Sequence, residues 1–572
     1  MQQRLESTPE LVVPSASWER AKEGLFLASL GLSHYAGGVF AGSPLLLGVA
    51  SLCAMLPTGL QNLGAAVLFA AFDVASALLL RLICLRAVAV ESCDWETELE
   101  KWMDEDTRPP GRNDASSPES ANKSAAENTV PTTEKSRETQ GKEQTGKLPS
   151  SESRKHDCSA SRTRVVDVTS TEQGQTDSWH QQLPDVVVAM YLLNPLLVAQ
   201  CVALSGDVLG RVLPLTALAV AGRQQFGFSP MTPVVAAALA AATCLWRFHA
   251  APLLLPVTLM LSRGRSSTKE GVAGTATVGA RARGGNEVCD KPSGRIRHCL
   301  EGNGKAKSDG GYEPLQDESE STGNVDASGV GGTPTSLEAY LGGSSFDPLR
   351  VDFDIEVFAR LCTMFVAFCV VILGACWLTT SPSWGFLRAA VGGQLLCEDL
   401  TPNAGLYWYF FAEIFPRFRG FFLVLFLSQP YVYVLPVVLR LGMFPEAAAT
   451  LLLAIFGFFQ PYPTLADPML AGCLFLCHPR TARRMRIIVP VFLAAAVPSL
   501  LLPTMRHLWL RAGTGNANFY YFQTVVLNVL LSVLVLQFAA ALVKRRKAIR
   551  LAVHKQRNAA AVGGAIDCSG GD

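Results

Sequence analysis

Long apolar runs recur along this chain, and they limit what it can fold into. The candidate spans are Leu60–Leu85, Asp185–Leu204, Asp207–Ala221, Met231–Trp246, His249–Leu261, Glu356–Leu378, Gly420–Leu439, Ala447–Phe459, Thr464–Cys477, Ile487–Met505 and Phe522–Val543. A helix needs about 20 predominantly apolar residues to cross the hydrocarbon layer of a bilayer. Several of these runs are shorter. Pro233, Pro252, Pro461, Pro463 and Pro468 interrupt them, which predicts broken or tilted helices shielded by their neighbours. The stretch Pro44–Leu56 reads as interfacial or re-entrant.

Composition supports the same class. Hydrophobic residues make up 49% of the 572 residues and charged residues 17%. Mean hydropathy is +0.25 even with two long polar inserts included. The chain reads as an all-α polytopic membrane protein rather than a soluble enzyme. A formal net charge of +1 leaves no electrostatic footprint for nucleic acid. Residues 1–20 lack the apolar core of a signal peptide, and the C-terminal CSGGD carries no retrieval or lipidation motif.

The inserts, roughly Glu91–Gln182 and Arg263–Ser345, are rich in Gly, Ser, Thr, Lys and acidic or amide residues. Such segments cannot bury enough apolar surface to offset the entropy of ordering, so disorder is expected. The predicted organisation is therefore as follows. Residues 1–90 hold a lumenal N-terminal segment and the first membrane helices. Residues 91–182 are a cytosolic insert, 183–262 membrane helices, and 263–347 a second cytosolic insert. Residues 348–550 hold further helices with lumenal loops at 379–419 and 506–521, and 551–572 are a cytosolic tail. This orientation follows from the basic clusters at Arg81–Arg86, Arg223, Arg263–Arg265, Arg480–Arg486 and Lys544–Arg550, which the positive-inside rule places in the cytosol. The acceptor pattern Asn122-Lys123-Ser124 then lies on the unglycosylated side.

Two segments carry the candidate chemistry. Asp399–Phe415, DLTPNAGLYWYFFAEIF, is dense in aromatic residues and punctuated by polar ones. Trp and Tyr concentrate at the membrane–water boundary, and acids or amides in hydrocarbon need a partner. Asn403 and Glu413 are candidates to meet a headgroup, with Tyr407, Trp408, Phe410 and Phe411 lining acyl chains or simply anchoring at the interface. The second segment is the loop RAGTGNANFYYF. If extended, it presents the Asn516 and Asn518 amides on one side, with Phe519–Phe522 at the acyl boundary. A polar turn capping the following helix is the alternative.

Asp73 lies inside an apolar run and Asp467 on a predicted lumenal turn. Each reads either as a headgroup contact or as a carboxylate bonded within the bundle. Most of the 15 cysteines sit in apolar runs. Cys362, Cys369 and Cys376 share one helix face, and Cys473, Cys477 and His478 lack a second ligand pair for a metal. No metal and no cofactor are expected. Cys397 is close to being the only predicted lumenal thiol, with His34, His249 and His507 the histidines on or near that side. No catalytic residue is assigned, because no soluble lumenal domain is present to orient such groups.

Ser17–Leu46, YLLNP at Tyr191–Pro195, Asp399–Phe415, YPTLADP at Tyr462–Pro468 and His507–Phe522 together resemble the PIG-U family, the U subunit of the glycosylphosphatidylinositol (GPI) transamidase. The resemblance implies a GT-C-like bundle of about 11 transmembrane helices in the endoplasmic reticulum membrane, about 12 if a first helix precedes this chain. It implies a non-catalytic subunit that helps bind the GPI lipid, with PIG-K, PIG-T, PIG-S and the GAA subunit as partners and the catalytic Cys and His on PIG-K. It also raises an alternative, an active GT-C mannosyltransferase using dolichol-phosphate-mannose. The loop start where those enzymes carry an Asp-x-Asp pair reads Ser15-Ala16-Ser17 here, which argues against that activity. A transporter reading has broken helices in its favour but no inverted repeat.

Overall fold

Proline and capping residues set many of the helix starts among the described residues. The computed structural model describes residues 5, 7–91, 182–223, 231–262, 353–380 and 383–567, and these are almost entirely helical. The two polar inserts, including Asn122, lie outside the described residues. Among the described residues the one piece of β structure is an isolated bridge between Ser17 and Ser205.

The helices are α1 (Trp18–Ser29), α2 (Pro44–Ala54), α3 (Gln61–Glu91), α4 (Gln182–Leu192), α5 (Pro195–Val202), α6 (Asp207–Arg223), α7 (Thr232–Trp246) and α8 (Ala250–Ser262). They continue with α9 (Ile355–Thr379), α10 (Tyr407–Glu413), α11 (Pro416–Leu441), α12 (Pro445–Phe459), α13 (Ala466–Leu476), α14 (Ile488–Leu510) and α15 (Ala517–Asp567), with short helical turns between some of them. Pro stands at the start of α2, α5, α11 and α12. There its missing N–H costs nothing and its fixed φ suits the first turn. Side chains close other starts. Asp354 accepts from Glu356 N at 2.9 Å to begin α9, and Ser17 accepts from Arg20 N at 3.4 Å to begin α1.

All eleven predicted apolar segments are helical. Among the described residues five helices, α3, α9, α11, α14 and α15, are long and apolar enough to cross a membrane. The predicted span Asp185–Leu204 is not one straight helix. It breaks into α4 and α5, bent by 51°. The cause is local: the Asn194 side chain accepts from Leu196 N at 3.0 Å, and Pro195 cannot continue the helix that precedes it. Counting that bent pair gives six candidate spans. Helices α6, α7, α8, α12 and α13 are shorter and largely wrapped by others. Helix α12 is buried along most of its length.

Packing runs through a few helix pairs. α14 lies along α15, α6 along α3 and α7, α9 along α7, and α12 between α11 and α13. Loops distant in sequence gather into two groups. At one end, Gly206 N donates to Ala16 O at 2.7 Å, Leu465 N to Glu10 O at 2.9 Å, and Arg20 pairs with Asp399. In the other group, Glu91 at the end of α3 meets Arg545 of α15 at 2.6 Å and accepts from Arg480 N at 2.9 Å.

Candidate functional site

The loop between α14 and α15 turns sharply. Gly513 has φ +67°, a backbone that side chains with a Cβ rarely adopt. Thr514 N and Gly515 N donate back to Leu508 O at 3.0 and 3.1 Å, closing the end of α14. The extended conformation expected for Asn516–Asn518 does not occur. Asn516 Oδ1 accepts from Phe519 N at 3.1 Å, so its amide caps α15 and the chain turns helical from Ala517. The two amides therefore do not form a flat pair. A free helix end has unsatisfied N–H groups, and Asn is among the best residues to satisfy one.

Asn518 lies in the first turn of α15, exposed, and its Oδ1 accepts from the Tyr409 hydroxyl of α10. The Tyr409 ring stacks on Tyr521 with centroids 4.4 Å apart. Phe519 and Phe522 are 56% and 61% exposed on either side of this stack in sequence. Glu413 is exposed at the end of α10, one helical turn beyond Tyr409. Asn518, Phe519, Phe522 and Glu413 are thus exposed, and the half-buried Tyr409 links α10 to the start of α15, giving a patch of amide, phenol and bare aromatic surface there.

The other four candidates point inward. Asn403 is buried, donating to Thr401 O at 3.2 Å and accepting from Gly405 N at 2.7 Å, so it shapes a turn. That turn needs glycine: a Cβ on Gly405 would lie 2.6 Å from Pro463 Cδ. Tyr407 is buried against Phe426, with stacked rings 5.5 Å apart, and donates to Phe459 O at 2.9 Å. Trp408 is buried among Trp509, Tyr520 and Tyr521. Phe411 is buried beside Tyr407 and Leu423. The aromatic density that marks this segment thus has two origins: Tyr407, Trp408 and Phe411 build core, and the half-buried Tyr409 and Phe410 pack at its edge, while Glu413 is exposed.

The bundle also holds a buried polar network. Asp73 accepts from the Tyr191 hydroxyl at 2.8 Å and lies 3.5 Å from Arg211. Arg211 also donates to the Gln200 side chain, and Gln200 donates to Thr464 at 3.3 Å. Arg247 is held between two carboxylates, 3.2 Å from Asp207 and 3.2 Å from Asp467. Asp467 opens α13 rather than resting on a free turn. Its Oδ2 accepts from Gln460 at 2.6 Å and from Thr464 N at 2.8 Å. Both predicted intramembrane acids are therefore bonded within the bundle. Arg211, Arg247, Thr464, Asp467 and Asn528 help line a cavity of about 90 Å³.

Sequence reasoning singled out Asp73 but missed its partner, Arg211, and missed Arg247 and Glu10. A signal was present for the arginines, since a cation within an apolar stretch demands a counter-charge. Glu10 gave none. It is buried, accepts from the Tyr520 hydroxyl at 3.0 Å and pairs with Arg506 at 3.0 Å. Burial pushes its carboxyl above the ordinary value of 4.5, and Arg506 opposes that rise.

Cys397 is buried in the loop before α10. It takes a left-handed backbone, φ +47°, and Arg419 donates to its carbonyl at 2.9 Å. Burial pushes its thiol up to about 12, with Arg419 acting the other way. A protonated, enclosed thiol is a poor nucleophile. His34 is held below its usual range by burial. His507 is exposed on α14, and the side chain of His249 lies outside the described residues. Cys376 is buried, and Cys362 and Cys369 are half-buried on the same helix. His478 meets the Thr450 hydroxyl at 3.3 Å, with Cys473 and Cys477 buried nearby in sequence. Among the described residues, no group of three or more His, Cys, Asp or Glu side chains is placed to hold a metal ion.

The human GPI-anchor transamidase component PIGU is 36% identical over 182 residues, 32% of this chain and 42% of the human protein. The GPI transamidase component GAB1 homolog of Schizosaccharomyces pombe is 36% identical over 160 residues, 28% of this chain and 39% of its own length. GAB1 of Saccharomyces cerevisiae is 36% identical over 152 residues, 26% and 37% of the two chains. Each alignment thus spans less than half of the relative. The family model described as GPI transamidase subunit PIG-U matches residues 1–527, most of the chain, and the chain belongs to that family.

Proposed function

We propose that this protein is a non-catalytic subunit of the GPI transamidase in the endoplasmic reticulum membrane. It helps hold the GPI lipid while that lipid is joined to the C-terminus of a secretory-pathway protein. In this reading the chain is a GT-C-like bundle with about 11 crossings, the shorter helices being shielded by the longer ones. It assembles with PIG-K, PIG-T, PIG-S and the GAA subunit, and takes no cofactor. Family membership supports the assignment to the complex.

The observation that carries lipid binding is the outward patch at the start of α15. Asn518 and Tyr409 present polar groups, and Phe519 and Phe522 lie exposed beside them. Amides and phenols bond phosphate and sugar hydroxyls, and exposed aromatic rings sit well at the acyl boundary. The Asn518 Nδ2 group makes no hydrogen bond among the described residues and is available to a headgroup. Asn516 serves by capping the helix that carries Asn518. Asn403, Tyr407, Trp408 and Phe411 serve by fixing α10 behind the patch. Enclosure of Cys397 supports leaving the bond chemistry to another subunit.

The test is attachment in cells lacking the endogenous subunit. Changing Asn516 and Asn518 together to Ala removes both amides. Each hydrogen bond lost to a charged headgroup weakens binding by about tenfold to a hundredfold. The expected outcome is poor surface display of GPI proteins, accumulation of free GPI, and partners that still copurify. Asn516→Asp, which preserves the cap, separates helix fraying from lost lipid contact when combined with Asn518→Ala. Normal display by Asn518→Ala in an assembled complex refutes the site.

A further inference from the structure

Helix α11 ends against α15. Arg546 of α15 donates to the Arg440 carbonyl in the last turn of α11, and Met443 packs on Ile549, Ala552 and Val553 just beyond. This contact gathers three guanidinium groups. Arg550 follows Arg546 by four residues on the same helix face, and both Arg440 and Arg550 act on Arg546 as like charges. The Arg440 and Arg550 side chains are exposed and Arg546 is half-buried.

Among the described residues none of the three has a carboxylate partner. The nearby acids are committed elsewhere. Glu91 pairs with Arg545 at 2.6 Å, and Glu446 lies beside Arg86. The negative end of α11 accepts the one bond made by Arg546 and favours Arg440 in its last turn, but it supplies no carboxylate to Arg440 or Arg550. Three like charges held together repel one another, and a bound anion turns that repulsion into attraction.

The surroundings point to the source of the anion. Above the cluster, toward the middle of both helices, the outward faces are bare and apolar. Leu435 and Leu439 of α11 and Leu536 of α15 are 60%, 66% and 66% exposed. Both helices are candidate spans, so these side chains face hydrocarbon and the arginines fall where it gives way to headgroups. We propose that Arg440, Arg546 and Arg550 form a site for the phosphate of an anionic phospholipid headgroup, with its acyl chains against the adjoining apolar faces of α11 and α15. The site stands at a helix pairing separate from the start of α15 and does not depend on the lipid reading given above.

The full-length protein, in the complex with which it purifies, is placed in nanodiscs. Retention of phosphatidylinositol is measured by native mass spectrometry and by displacement of a fluorescent analogue. Phosphatidylcholine and inorganic phosphate are run as separate probes. The expected result is retention of phosphatidylinositol over phosphatidylcholine, and binding about thirtyfold weaker in the Arg440→Gln/Arg550→Gln double variant. Those two side chains are exposed and leave the Arg546 bond to the Arg440 carbonyl intact, so folding is not at stake. The Lys544→Gln/Lys547→Gln pair, which removes equal charge from the same helix, retains the lipid. Equal retention by the arginine variant and the unchanged protein overturns the proposal, as does an equal loss in the lysine variant. Inorganic phosphate binding as tightly as the lipid overturns the headgroup assignment in favour of a soluble anion.

Discussion

Removing the Arg247 guanidinium should do more damage than any other single change in the polar core. Arg247 sits 3.2 Å from both Asp207 and Asp467, with its side chain 19% exposed and theirs 5% and 9%. Arg247→Met leaves the buried Asp207 and Asp467 carboxylates without the cation they share. Breaking a buried ion pair from one side costs about 3–5 kcal/mol, because the remaining charge is left uncompensated. Here two charges are orphaned, so the upper part of that range is expected. A typical fold has only about 5–15 kcal/mol in total. Arg247→Lys keeps the charge but reaches only one carboxylate, since the present bonds come from Nη1 and Nη2 separately. It should lose one charge-assisted bond, about 1.5–3 kcal/mol. The decisive comparison is the triple variant Arg247→Met/Asp207→Asn/Asp467→Asn. It removes all three charges, and the amide oxygen introduced by Asp467→Asn would still accept from Thr464 N. Thermal midpoints in detergent, read by fluorescence-detected size exclusion, should rank wild type first, then the Lys variant and the triple variant, with Arg247→Met last. A midpoint for Arg247→Met equal to wild type would refute the argument. So would a triple variant no more stable than the single one.

Three further outcomes follow from the same structure. Burial raises the Glu10 carboxyl above 4.5, so the fold favours its protonated form relative to the unfolded chain; that stabilising contribution is complete below 4.5 and is lost as pH rises through the raised value. The stability of wild type relative to Glu10→Gln, measured by chemical denaturation at several pH values, should therefore fall as pH climbs from 4.5; a flat or rising difference contradicts this. Cys397→Ala should leave GPI attachment unchanged in cells, because that thiol is buried and protonated, whereas loss of attachment in an assembled complex would make it a participant. Deleting Asn113–Ser170 and Glu270–Thr335 should preserve attachment, since their composition cannot supply packed core; loss at normal abundance would show that they contribute.

Much of this protein is legible in sequence because the causes are local. Apolar run length produces the membrane helices, and Asn194-Pro195, Ser43-Pro44 and Asp354 set boundaries through capping and the geometry of proline. The chain alone also marked Asp73, Asp467, the aromatic segment at 399–415 and the Asn516–Asn518 loop. It did not show which face of each element turns inward. Trp408 and Tyr409 are neighbours in sequence, and packing against Trp509 buries the first while the second meets Asn518 at the surface. Partner choice is equally nonlocal. Asp467 finds Arg247 220 residues away, and Tyr520 finds Glu10 across 510. A buried charge must have a partner, and that rule can be applied to any single residue in a sequence. The identity of the partner depends on which helices pack together, and only the tertiary structure decides that.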